Sequence, residues 1–126
     1  MKTLWIGFGG ALGSIVHYNL DGWLHRHLGT AFPYGTFAVN VVGSFLLVLL
    51  MHVGLRTELI PPIARIALAT GVLGGFTTYS TFNYETLRYF QDGVWGMGVL
   101  NVVVTVVGCL IAGFLGWAAG RVLVGA

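Results

Sequence analysis

The sequence predicts an all-α integral membrane fold with four transmembrane helices, the third broken near its middle. Three observations carry that expectation. Only 8% of the 126 residues are charged and 56% are hydrophobic, against roughly 25% charged in an ordinary soluble domain. A helical crossing needs about 20 predominantly apolar residues, and four such stretches follow one another, roughly 4–24, 37–55, 63–90 and 94–124. Within the third, the run Gly71-Val72-Leu73-Gly74-Gly75-Phe76-Thr77-Thr78-Tyr79-Ser80-Thr81-Phe82 interrupts the apolar pattern with glycines, hydroxyls and aromatic rings. Backbone groups freed by a break in lipid must be satisfied by protein, water or an ion, so a break here predicts a ligand beside it.

The chain reads as one membrane domain over residues 1–126. Its first stretch begins Met1-Lys2-Thr3 and has the outline of a signal peptide, but no A-x-A-like site follows and the Gly-rich run continues into Gly13-Ser14, so a retained span is expected. Phe32-Pro33-Tyr34-Gly35 is a turn before the second span. Pro61-Pro62 closes one helix and opens the next at its first turn. Gln91-Asp92-Gly93 links the third and fourth. A net charge of +2, scattered along the chain, gives no footing for nucleic acid. The single cysteine, Cys109, excludes an intrachain disulfide. With the N-terminus inside, Lys2, Arg56, Arg65 and Arg121 fall inside and Arg26 and Arg88 outside; so small a bias permits insertion in both directions and an antiparallel homodimer. The pairs Gly9/Gly13, Gly71/Gly75 and Gly116/Gly120 predict close helix packing.

Polar residues at membrane depth are costly and face a partner or a watery path. In the second span Thr36, Asn40 and Ser44 recur at i, i+4 and i+8 on one helix face. Asn101, Thr105 and Cys109 repeat that pitch in the fourth, rising about 12 Å. Such ladders either guide a small anion, a polar solute or a file of waters, or bond one helix to another. His17, Asp21 and His25 share a face of the first span with metal-ligand spacing on paper, although a site needs further ligands; His27 and His52 read as interfacial residues near span ends. Glu85 and Arg88 stand three apart near the end of the third span, where an ion pair holding the helix end is the ordinary expectation and a proton-cycling carboxylate the alternative.

If the chain is helical after Gly75, Tyr79 and Phe82 share a face. Aromatic edges turned to a pathway favour an anion and aromatic faces a cation; packing between helices is the plain alternative. Carbonyls exposed at the break would suit a hard cation such as sodium, as in the discontinuous helices of transporters.

These residues resemble a known family. Gly74-Gly75-Phe76-Thr77-Thr78-Tyr79-Ser80-Thr81-Phe82 is similar to the Gly-Gly-x-Thr-Thr-Phe-Ser-Thr-Phe motif of the Fluc (CrcB-type) fluoride channels. Gly35-Thr36-Phe37-Ala38-Val39-Asn40-Val41-Val42-Gly43 resembles the family's Gly-Thr-x-x-x-Asn-x-x-Gly, and Gly9-Gly10-Ala11-Leu12-Gly13 its glycine-rich start. Length and span count agree, and the resemblance covers nearly the whole chain. It implies a multi-pass protein of the cell membrane, an antiparallel dual-topology homodimer with two fluoride pathways and a central structural sodium ion. The sodium would be held by backbone carbonyls of Gly74 and Thr77 from both chains. Asn40, with Thr36 on the same face, would sit on the pathway beside Tyr79 and Phe82, with Ser80 and Thr81 near it and Asn101, Thr105 and Cys109 as a fourth-span polar track. Glu85 matches a carboxylate that follows the aromatic motif, with Arg88 close by. Three letters depart from the family: Tyr79 for the usual Phe, Cys109 for the commoner serine, and His17 for an arginine, the last of which could make the rate or the vestibule electrostatics pH-dependent.

The implied function is passive fluoride export that lowers cytoplasmic fluoride, with fluoride, the lipid bilayer and a second copy of the chain as partners and no enzymatic activity. Two other classes fit a short four-span chain. A proton-coupled small multidrug exporter relies on a glutamate in its first span, and here that span has none. A non-transporting assembly subunit would use the ladders only for packing. No paired nucleophile and base supports an intramembrane enzyme.

Overall fold

The structure is a computed structural model that describes all residues, Met1–Ala126, and its regular elements are all helices. Helix α1, Lys2–Leu28, is closed by Gly29, whose positive φ of 84° suits a residue without Cβ. Its last turn carries His25, Arg26 and His27, where cations complement the helix dipole. Helix α2, Tyr34–Arg56, follows Pro33 and ends at the extended Thr57. Pro62 then opens α3, Pro62–Ile66, because a first-turn residue needs no N–H donor.

Beyond α3 the backbone changes winding twice. Ala67–Leu73 is π-helical, a widened turn that recurs at functional sites. One turn of α-helix, α4, Gly74–Phe76, leads into two extended residues, Thr77 (φ −86°, ψ 160°) and Thr78 (φ −154°, ψ 115°). Helix α5, Tyr79–Gln91, restarts after them, and a turn through Gly93 leads to α6, Trp95–Val124.

Helices α2 and α6 are long and apolar enough to cross a membrane, with mean hydropathy 2.1 and 2.4. Burial in the bundle is the inverse of a soluble domain's. Only 19 of 126 residues are buried, and the hydrophobic ones among them are Val39, Leu73, Phe76, Phe82 and Ala112. Large apolar side chains such as Phe8, Leu12, Ile15 and Val122 face outward, as they do where lipid is the solvent and helices associate through close packing.

Glycine supplies that packing. A Cβ on Gly13 would strike the carbonyl oxygen of Val72 and lie 2.9 Å from the nitrogen of Phe76; one on Gly75 would lie 2.5 Å from the oxygen of Gly10. Helix α1 and the third segment therefore meet backbone to backbone. Gly116 brings α6 equally close to the Phe45 carbonyl of α2, and Gly120 packs on the His52 ring. His52 is buried near the ends of α2 and α6, and its Nε2 lies 2.7 Å from the Gly125 oxygen. The small residue at position 120 is what lets the ring tuck under α6.

Candidate functional site: a polar groove at a helix break

Asn40 of α2 and the peptide of Thr78 are joined twice. The Nδ2 of Asn40 donates to the Thr78 carbonyl at 2.9 Å, and the Thr78 N–H donates to Oδ1 at 2.8 Å. One amide side chain thus satisfies both polar groups of the extended peptide, which lipid could not do. Thr78 also caps α5 through its side chain, Oγ1 accepting from the Thr81 N–H at 3.2 Å. The side chain of Thr77 turns back, its hydroxyl donating to the Leu73 carbonyl at 2.9 Å. Gly43 makes room for this arrangement, since a Cβ there would collide with the Thr77 methyl.

These bonds have a consequence for the carbonyls. In an unbroken helix the N–H of Thr78 would bond to Gly74 and that of Thr81 to Thr77. Here they go to the side chains of Asn40 and Thr78. The carbonyl oxygens of Gly74 and Thr77 thereby lose the donors that an unbroken helix would give them.

Beside the break lies an open groove of about 760 Å³. Asn40 and Ser44 of α2 line it, with Gly74, Thr77, Thr78, Tyr79 and Phe82 of the broken segment and Thr105 and Cys109 of α6. Leu47, Leu110, Phe114 and Trp117 complete an otherwise apolar wall. The rings of Tyr79 and Phe82 meet edge to face, with centroids 5.8 Å apart and planes at 65°. Of the groups singled out in the sequence, Asn40, Ser44, Gly74, Thr77, Tyr79, Phe82, Thr105 and Cys109 share this groove.

The others lie elsewhere. Thr36 is buried, 2% exposed, between the helices, and Asn101 is 1% exposed and turned into the α5–α6 contact. Ser80 and Thr81 are exposed on the first turn of α5. The ladder on α6 is thus divided: Asn101 bonds helix to helix, whereas Thr105 and Cys109 reach the groove.

Glu85 and Arg88 do not pair. Arg88 is exposed, bonds to the Tyr84 hydroxyl at 3.2 Å and approaches Asp92 at 4.0 Å. Glu85 faces inward toward Thr36 and Asp21, with His17 and His25 also near, and its Oε1 is buried without a hydrogen-bond partner. Three residues along a helix turn the two side chains to different surroundings here, one wet and one enclosed. Asp21 itself is lodged against Gly35, whose missing side chain makes its space. The His17, Asp21 and His25 face does not form a metal cluster, since no group of three His, Cys, Asp or Glu side chains is placed to hold an ion.

Thr78 and Thr86 are residues whose roles the sequence reading missed. Thr86 accepts from Asn101 at 2.9 Å and donates to the Phe82 carbonyl at 2.8 Å. Its position four residues after Phe82 was the available signal for that backbone bond. For Thr78 the signal was a capping hydroxyl three residues ahead of Thr81.

Apolar crossing helices around a polar groove centred on a helix break define a membrane protein. The sequence profile of the family described as "CrcB-like protein, Camphor Resistance (CrcB)" matches residues 4–117, and the chain belongs to that family. Among its relatives, a protein of Sorangium cellulosum named "Fluoride-specific ion channel FluC" is 49% identical, covering 98% of this chain and 97% of its own. One of Geotalea daltonii with the same name is 48% identical, covering 96% and 98%.

Proposed function

We propose that this chain forms a fluoride-selective channel of the cell membrane, passing through it several times and releasing fluoride passively so that cytoplasmic fluoride falls. The observation that carries this reading is the groove: an amide, hydroxyls and an edge-to-face aromatic pair gathered beside a helix break, in a chain whose full-length relatives are named for fluoride. Fluoride is small and strongly hydrated, so a pathway must replace its water with closely set donors and positive ring edges. Asn40 retains a second N–H beyond the one given to Thr78, and Ser44 adds a hydroxyl. The deciding experiment is fluoride efflux from liposomes holding the purified protein. Flux no greater than from empty vesicles, or equal flux of chloride, defeats the reading.

The break also suits a structural sodium ion. Hard cations take oxygen ligands, and the carbonyls of Gly74 and Thr77 are oxygens that lose their helical donors at the break. Two such oxygens are too few for a cation site, and the groove beside them is open. An antiparallel second copy would bring the same pair from the other side and close the groove into a pathway. Replacing sodium by a large organic cation is expected to lower flux and loosen the dimer, read by efflux and by crosslinking; indifference in both counts against the ion.

Tyr79→Phe tests the aromatic pair. Tyr79 is 78% exposed and its hydroxyl makes no hydrogen bond within the chain. The variant is expected to retain fluoride flux, with stability within about 0.5 kcal/mol of wild type as for exposed positions generally. Loss of flux in a folded Tyr79→Phe protein would mean that the hydroxyl, rather than the ring, serves the ion.

A further inference from the structure

Behind the groove a chain of side chains runs from one wall to the other. The Thr105 hydroxyl donates to Asn101 Oδ1 at 3.3 Å, Asn101 Nδ2 donates to Thr86 Oγ1 at 2.9 Å, and Thr86 Oγ1 donates to the Phe82 carbonyl at 2.8 Å. Its two ends, Thr105 on α6 and Phe82 on α5, line the groove, while Asn101 and Thr86 do not. Asn101 is 1% exposed and Thr86 6%. Helix α6 is therefore coupled to the helix that carries the aromatic pair by groups that no permeating ion needs to touch.

Proton bookkeeping separates this role from ion contact. A hydroxyl has one hydrogen to give. That of Thr86 goes to the Phe82 carbonyl, and its oxygen is taken by Asn101, so Thr86 has no donor left for an anion. In a membrane interior there is little water to compete for these bonds, and a buried hydrogen-bonded network rigidifies what it joins.

We propose that Thr86 and Asn101 are positioning residues that hold Phe82 at a fixed distance from Thr105 and thereby set discrimination between fluoride and larger halides. The inference rests on the fluoride-channel reading above and adds the part of the protein that keeps the groove narrow. The smallest halide is favoured only while ring edge and donors stay close enough to replace its water. Once α5 is free to shift against α6, the same groups admit an anion whose water is more easily shed.

The test compares fluoride and chloride efflux from liposomes for wild type, Thr86→Val and Thr86→Ser. Valine keeps the shape and removes both bonds, whereas serine keeps the hydroxyl. The fluoride-to-chloride flux ratio is expected to fall about tenfold in Thr86→Val, the scale of one lost hydrogen bond, and to stay near wild type in Thr86→Ser. Asn101→Ala interrupts the same chain in its middle and decides the matter if Thr86→Val does not fold. Combining Thr86→Val with Asn101→Ala should lower the ratio no further than either alone. Helix-to-helix adhesion alone would lower stability and leave the ratio untouched. A folded Thr86→Val protein with the wild-type ratio overturns the inference, as does a Thr86→Ser protein no better than Thr86→Val. Wild type without fluoride flux defeats the channel reading, and the positioning role with it.

Discussion

Asn40→Ala is expected to abolish fluoride flux and to destabilise the fold by about 1–3 kcal/mol, the cost of one polar group left unpaired, since the pair is part-buried. Alanine removes the acceptor for the Thr78 N–H and the donor to its carbonyl together. The Thr78 N–H then has one obvious partner, the Gly74 carbonyl, which it would reach by continuing the helix. Closing the break in this way would remove a free oxygen from Gly74 and swing Tyr79 and Phe82 out of register with Asn40's side of the groove. Asn40→Asp is the informative companion. It keeps the acceptor for the Thr78 N–H but sets a carboxylate oxygen against the Thr78 carbonyl, so it should lose flux while retaining part of the stability. Liposome efflux and thermal unfolding in detergent check both variants. An Asn40→Ala protein with wild-type flux would show that the doubly bonded amide is not what holds the break open.

Gly13→Val is expected to cost about 3 kcal/mol or more, at the upper end of overpacking, and to yield protein that does not elute as a single species. The clash is with main chain on the facing segment, the Val72 carbonyl and the Phe76 nitrogen, and neither can rotate aside. Moving α1 outward instead would separate Gly9 from Val72 and Gly10 from Gly75 at once. Because the third segment here runs directly into the break, the groove would open along with the packing. Gly7→Ala is the control. A Cβ at Gly7 meets nothing within 4 Å, so that change should be neutral or stabilise the helix by up to about 1 kcal/mol. Size-exclusion profiles and thermal midpoints separate the two. Similar behaviour of Gly13→Val and Gly7→Ala would disprove the backbone contact.

Both predictions depend on distances that residue spacing does not contain. The i, i+4 ladder on α6 was visible in the sequence, yet its rungs serve different ends: Asn101 faces α5, while Thr105 and Cys109 face the groove. One helical stripe is wide enough to touch a neighbour along one edge and open space along the other, and only the crossing of α5 over α6 decides which rung does which. Glu85 and Arg88 likewise have the spacing of a helix-surface pair. The packing of α2 against α5 encloses Glu85 near Thr36 and leaves Arg88 with Tyr84 and Asp92.

The sequence by itself determined the all-helical membrane character, since so little charge and so many apolar residues leave lipid as the solvent that fits. It also marked the third segment as the place where polar groups collect, because glycines and clustered hydroxyls there serve no apolar packing. Only the tertiary structure decided what happens at that place. Asn40 and Thr78 are separated by 38 residues, and their two bonds form because Gly43 admits Thr77 and sets α2 against the break. That contact diverts the Thr78 N–H and takes from the Gly74 carbonyl its helical donor, a question of three-dimensional proximity that local sequence cannot encode.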